Sequence, residues 1–99
     1  RFNPTSPKAW DNRGVTLVKL GRDDEALVSF DRAVGLDSDY AQAHYHRAVC
    51  YALQRQTDLA LESLQQAARL DPDYREEART DPAFDGFWSS QWFRELVEK

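Results

Sequence analysis

The chain has a single cysteine, Cys50, so it can form no internal disulfide. It has no apolar run long enough to span a bilayer and no signal-peptide pattern at its start. It has no excess of positive charge: residues 1–40 carry six basic and seven acidic side chains, residues 41–74 three and four, residues 75–99 four and six, for a net charge of −4. The even, acidic balance excludes the electrostatic footprint of a nucleic-acid binder and a polybasic run for an anionic membrane surface. There is no glycine-rich phosphate loop, no pair of cysteine motifs and no elbow around a nucleophilic serine. The sequence therefore predicts no enzyme, no cofactor, no nucleic-acid partner and no membrane partner, with a cytoplasmic setting as the default.

One cluster invites a metal argument: His44, His46 and Cys50. On a helix His46 and Cys50 lie one turn apart, but His44 is rotated by roughly 240° from Cys50 around the axis. A closed zinc site needs about four ligands, and no others are near in sequence. The expectation is that Cys50 fills core space and His44 packs. Nothing makes Cys50 an exposed, electropositive thiol that His46 would activate.

What is present is a repeat. Residues 7–40 set against residues 41–74 without a gap are identical at 12 of 34 positions, among them Ala9/Ala43, Arg13/Arg47, Ala26/Ala60, Ala33/Ala67 and Tyr40/Tyr74. That period is the length of one helix-turn-helix unit in a stacked solenoid. In the first unit Thr5-Ser6-Pro7 is a helix start, and Trp10, Gly14 and Leu17 fall on one face. Gly21 closes that helix in a left-handed conformation, and Asp23 is expected to cap the next one. There Ala26, Phe30 and Ala33 form one stripe, with Leu27 and Val34 beside it. In the second unit Asp39 is the expected cap of a helix with His44, Ala48 and Tyr51 inside. Thr57 is the expected cap of another with Ala60, Leu64 and Ala67. Arg55 occupies the place of Gly21 at the turn, where a left-handed backbone would cost it about 1 kcal/mol relative to glycine.

The spacing Trp10-x3-Gly14-x2-Leu17 and Ala26-x3-Phe30, repeated as His44-x3-Ala48-x2-Tyr51, Ala60-x3-Leu64 and Pro72, resembles the tetratricopeptide repeat over residues 2–74. Arg13 and Arg47 depart from it at an apolar position, where a long stem covers apolar surface and leaves its charge in water. His44 and Leu64 replace the signature tryptophan and phenylalanine. The resemblance implies an all-α, right-handed helical-repeat solenoid of antiparallel helix pairs. Residues 1–6 read as the end of a preceding unit, 7–40 as the first repeat and 41–74 as the second, all in one domain spanning 1–99. Phe2-Asn3-Pro4 falls one period before Leu36-Asp37-Ser38, which suggests a piece of a longer protein.

After Tyr74 the period breaks. Asp73 to Ala78 opens a third first helix, and Asp81-Pro82 stops it. Phe84, Phe87, Trp88, Trp92 and Phe93 then put five of the twelve aromatics into ten residues. Ser89 or Ser90 can cap a last short helix with Trp92, Phe93, Leu96 and Val97 on one face. Residues 75–99 are read as an aborted unit and an aromatic cap, because a stack must be closed at its end. The alternative is a docking surface made of Trp88, Trp92 and Phe93, serving weak self-association or the regulation of a larger protein.

The resemblance also implies that the first helix of each unit lines a concave groove where a protein or peptide partner lies. The groove-facing positions are Lys8, Asp11, Asn12, Val15 and Lys19, then Gln42, Tyr45, His46, Val49 and Leu53, joined by Glu76, Arg79 and Thr80. An apolar floor of Val15, Val49 and Leu53 with polar walls suits an extended peptide or an amphipathic helix. Members that hold a chaperone's C-terminal carboxylate do so with lysine, asparagine and arginine. Here the matching positions are Asp11, Val15, His46, Glu76 and Thr80, and two acids would repel a carboxylate. The expected role is that of a monomeric scaffold or adaptor outside the carboxylate-binding subtype.

Overall fold

The computed structural model describes residues 2–98. Its order is α1 (Pro7–Lys19), α2 (Asp23–Leu36), α3 (Ala41–Leu53), α4 (Thr57–Leu70), α5 (Asp73–Thr80), a 3₁₀ segment (Pro82–Phe87) and α6 (Gln91–Val97). Helices α1 and α2 pack as one pair, α3 and α4 as the next, and α3 also packs on α2 and α1, so the pairs stack. Small residues make this approach close. Ala26, Ala33, Ala43, Ala48, Ala60, Ala67 and Ala78 are fully buried, and Phe30, Leu61 and Leu64 fill the spaces between them. No helix among the described residues is long and apolar enough to cross a membrane.

Each helix starts for a local reason, and not always the one read from sequence. The Ser6 hydroxyl accepts from the Ala9 N–H at 3.1 Å, with Pro7 opening α1. The Ser90 hydroxyl does the same for Phe93 at 3.2 Å and opens α6. The other three expected caps are corrected. Asp23 and Thr57 are already the first residues of α2 and α4, and Arg22 and Gln56 hold the cap positions without a side-chain bond. Asp23, Asp24 and Glu25 instead place negative charge on the first turn, where the helix dipole favours it. Asp39 stands two residues before α3. Its N–H is taken by the Asp37 carboxylate at 3.0 Å, which forms an Asx turn that delays the helix, and Asp71 repeats the device with the Asp73 N–H at 3.1 Å.

The two intra-unit turns are left-handed, Gly21 at φ 76° and Arg55 at φ 61°. Arg55 is exposed, and the bonds of its turn, from its own N–H to the Ala52 carbonyl at 3.0 Å and from the Gln56 N–H to the Tyr51 carbonyl at 3.0 Å, are backbone bonds that a glycine would also make. Arg55→Gly is expected to be neutral or stabilising by up to about 1 kcal/mol, part of the strain relief being offset by the freer unfolded chain. A thermal melt checks it; a clear fall in Tm would contradict the strain argument.

The segment after Thr80 packs on the second helix pair. Phe84, Phe87, Phe93 and Val97 join Tyr45, Leu61 and Leu64 in the larger core cluster. Phe93 is 0% exposed, whereas Trp88 and Trp92 are each 37% exposed. This corrects the alternative docking surface: Phe93 lies under Trp88, whose ring meets it edge-on at 5.0 Å, and presents nothing to a partner. At the opposite end Trp10 packs edge-on with Phe2 at 4.7 Å, and its Nε1–H donates to the Pro4 carbonyl at 2.8 Å. The Arg13 guanidinium lies 5.2 Å from the Phe2 ring centre and 5.7 Å from that of Trp10, the role expected of its long stem.

Candidate functional site

Successive first helices are tied together by side chains that sequence spacing alone places on their surfaces. Asp11 on α1 accepts from His46 Nδ1–H on α3 at 2.9 Å. Tyr45 on α3 stacks on Tyr74 of α5, 4.7 Å between ring centres, and its hydroxyl donates to Asp81 Oδ2 at 2.7 Å. The other oxygen of Asp81 accepts from the Ala83 N–H at 2.9 Å and starts the 3₁₀ segment. Burial and the Asp81 carboxylate push the Tyr45 hydroxyl well above the usual phenol range. It therefore remains a donor.

These ties correct two expected groove residues. Asp11 is 0% and Tyr45 2% exposed. Asp11 sits where neighbouring first helices meet, and its Oδ2 is buried without a partner among the described residues. Both residues tie neighbouring elements together and are not free to meet a ligand. Lys8, Asn12, Lys19, Gln42, Leu53, Glu76, Arg79 and Thr80 are exposed, and Val15, His46 and Val49 are half-buried. Glu76 and Arg79 form an ion pair at 3.4 Å.

The exposed and half-buried positions bring one shaped feature together. Val15, Val18 and Lys19 of α1, His46 and Val49 of α3, and Phe30 of α2 line a recess of about 150 Å³. A space of about that volume accommodates a benzene ring, hence one apolar side chain. Val18 and Phe30 were missed in the sequence. Val18 follows Val15 by three residues on the same face, a signal that was readable. Phe30 belongs to the second helix and reaches the recess only because Gly14 has no side chain to block it: a Cβ there would lie 2.7 Å from Phe30 Cδ1.

The histidines and the cysteine are each engaged separately. His44 Nε2–H donates to the Ser38 carbonyl at 2.9 Å, and burial lowers its pKa, so it packs as a neutral ring. Cys50 is fully buried against the Asp23 carbonyl, and burial raises its thiol to about 12. Among the described residues no three His, Cys, Asp or Glu side chains are grouped to hold a metal.

The chain is similar to known proteins. A protein of Dictyostelium discoideum described as a DnaJ homolog subfamily C member 7 homolog is 34% identical over 79 residues, covering 80% of this chain and 15% of that protein. Hsp70-Hsp90 organizing protein 2 of Arabidopsis thaliana is 27% identical over 74 residues, 75% of this chain and 13% of that protein. The chain thus spans a small fraction of the length of these curated relatives. The crystal structure of MamA matches with a TM-score of 0.78 over 97% of this chain and 59% of MamA, at 21% identity, a likeness of fold. The tetratricopeptide-repeat family model matches residues 4–75, the stretch over which the helix pairs α1–α2 and α3–α4 stack, and the chain belongs to that family.

Proposed function

We propose that the chain is a protein-interaction module that holds a segment of a partner protein, an extended peptide or an amphipathic helix, along its first helices. The recess between α1 and α3 carries this reading: it is apolar, open, and sized for one aliphatic or aromatic anchor. Lys8, Asn12, Lys19 and Gln42 stand exposed on the same helices and supply the polar rim, and exposed Leu53 extends the apolar floor. A protein partner is also supported by a relative named for organising Hsp70 and Hsp90.

A photo-crosslinking residue in place of Lys19 is expected to trap a protein from an extract of the source organism, and the same residue in place of Val28, exposed on α2, to trap none. Equal yields from both would remove the groove from the reading.

A terminal carboxylate is a poor occupant of this groove. Asp11 is committed to His46, Val15 belongs to the apolar recess, and exposed Glu76 repels an anion. A chaperone C-terminal tail peptide should leave the NMR resonances of Val15 and Val49 unmoved. Saturable micromolar shifts at both would overturn the exclusion. The rival docking surface is left with Trp88 and Trp92, and Trp88 is already engaged with Phe93.

A further inference from the structure

Helix α6 takes the place of a second helix against α4 and α5, but it has seven residues against the fourteen of α4. At about 1.5 Å per residue it covers half the length. Between α6 and helices α4 and α5 lies a recess of about 500 Å³ whose walls include Ala68, Arg69, Pro72, Arg75, Trp92 and Leu96. Arg22, Arg47 and Arg79 each pair with an acid, whereas Arg69 and Arg75, like Arg13, Arg32, Arg55 and Arg94, form no ion pair among the described residues. Arg69 bonds only the neutral Gln66, and Arg75 has a buried Nε with no partner among the described residues. Glu95 also borders the recess, and its carboxylate, which accepts from the neutral Gln91 amide at 2.9 Å, keeps its charge. On a chain of net charge −4, two guanidinium groups and one carboxylate, a local excess of one positive charge, thus share a pocket with an indole that is 37% exposed.

We propose that this recess, separate from the groove, binds an acidic segment of a partner protein. A carboxylate pairs with Arg69 and Arg75, and a neighbouring apolar side chain rests on Trp92 and Leu96. The planar fork of a guanidinium matches a carboxylate in two hydrogen bonds. The apolar wall gives a peptide a second contact that a free anion lacks. None of the groove residues lines this recess, so its occupancy and that of the groove are independent.

The test uses the full chain and a fluorescein-labelled, C-terminally amidated peptide of alternating glutamate and leucine, with a lysine-for-glutamate peptide as control. Fluorescence anisotropy should show the acidic peptide binding at least about tenfold more tightly than the basic one, with affinity falling as salt rises. Arg69→Glu, at an exposed position, should cost about tenfold in Kd with circular dichroism unchanged, and Trp92→Ala about threefold. Val28→Ala, at an exposed position of α2 that lines neither recess, should leave Kd unchanged. Equal binding of the two peptides, binding by neither, or full affinity in Arg69→Glu each overturns the proposal. Competition by inorganic phosphate as effective as by unlabelled peptide would also overturn it, assigning the arginines to a free anion.

Discussion

Removal of residues 82–99 is expected to leave a chain that no longer melts cooperatively and that aggregates in size-exclusion chromatography. The 3₁₀ segment and α6 contribute Phe84, Phe87, Phe93 and Val97 to the same cluster as Leu61, Leu64 and Tyr45. Burying a phenylalanine or valine is worth about 1.5–3 kcal/mol each, and a domain of this size is stable by about 5–15 kcal/mol in all. The lost burial alone is comparable with the whole stability, and the exposed ends of α3 and α4 would offer an apolar patch. Phe84→Ala, which removes one ring from this cluster, should cost about 3–5 kcal/mol. Trp88→Ala and Trp92→Ala, at partly exposed rings, should cost about 1 kcal/mol or less. That contrast separates a cap from a docking surface. A truncated chain that stays monomeric and melts cooperatively would show that the aromatic tail serves something other than closure.

The repeat made the helix pairs legible because a stacked helix has to bury residues on a fixed period, and the period survives even where identities change. That Phe84 and Phe93 pack into the core follows the same logic, since five aromatics in ten residues have no place in a further repeat. The helix starts were less so. An aspartate before a helix can bond the first turn or bond its own loop, and Asp37 and Asp71 chose the loop. The groove was half legible. Periodicity gives the direction of a side chain but not what lies across from it. Asp11 and Tyr45 point away from their own helix pair, as expected, yet meet His46, Tyr74 and Asp81 from neighbouring units. The recess beside α6 depends on a helix length and on which arginines lack acids, and neither is written in a single repeat.

Two glycine-to-alanine changes inside helices should have opposite signs. Gly35 lies in α2 with nothing within 4 Å of where a Cβ would be, so Gly35→Ala should stabilise by up to about 1 kcal/mol through helix propensity alone. Gly14 lies in α1 against the ring of Phe30, with an added Cβ 2.7 Å from Cδ1 and 2.8 Å from Cζ. Phe30 is 0% exposed, so its ring has no solvent to retreat into. Overpacking of this kind costs about 1–3 kcal/mol or more, which outweighs the same propensity gain. The net loss for Gly14→Ala is about 1–2 kcal/mol, several degrees in Tm for a chain of this length. The ring also borders the recess between α1 and α3, so a displaced ring narrows it. Gly14→Ala should therefore damage stability and narrow the anchor site at once, lowering the crosslinking yield from Lys19. Phe30→Leu in the same chain should recover part of both, a coupling that a double-mutant cycle measures directly. Were Gly14→Ala as stable as the parent, the contact between the two helices would be looser than the recess requires, and the anchor site would lose its floor.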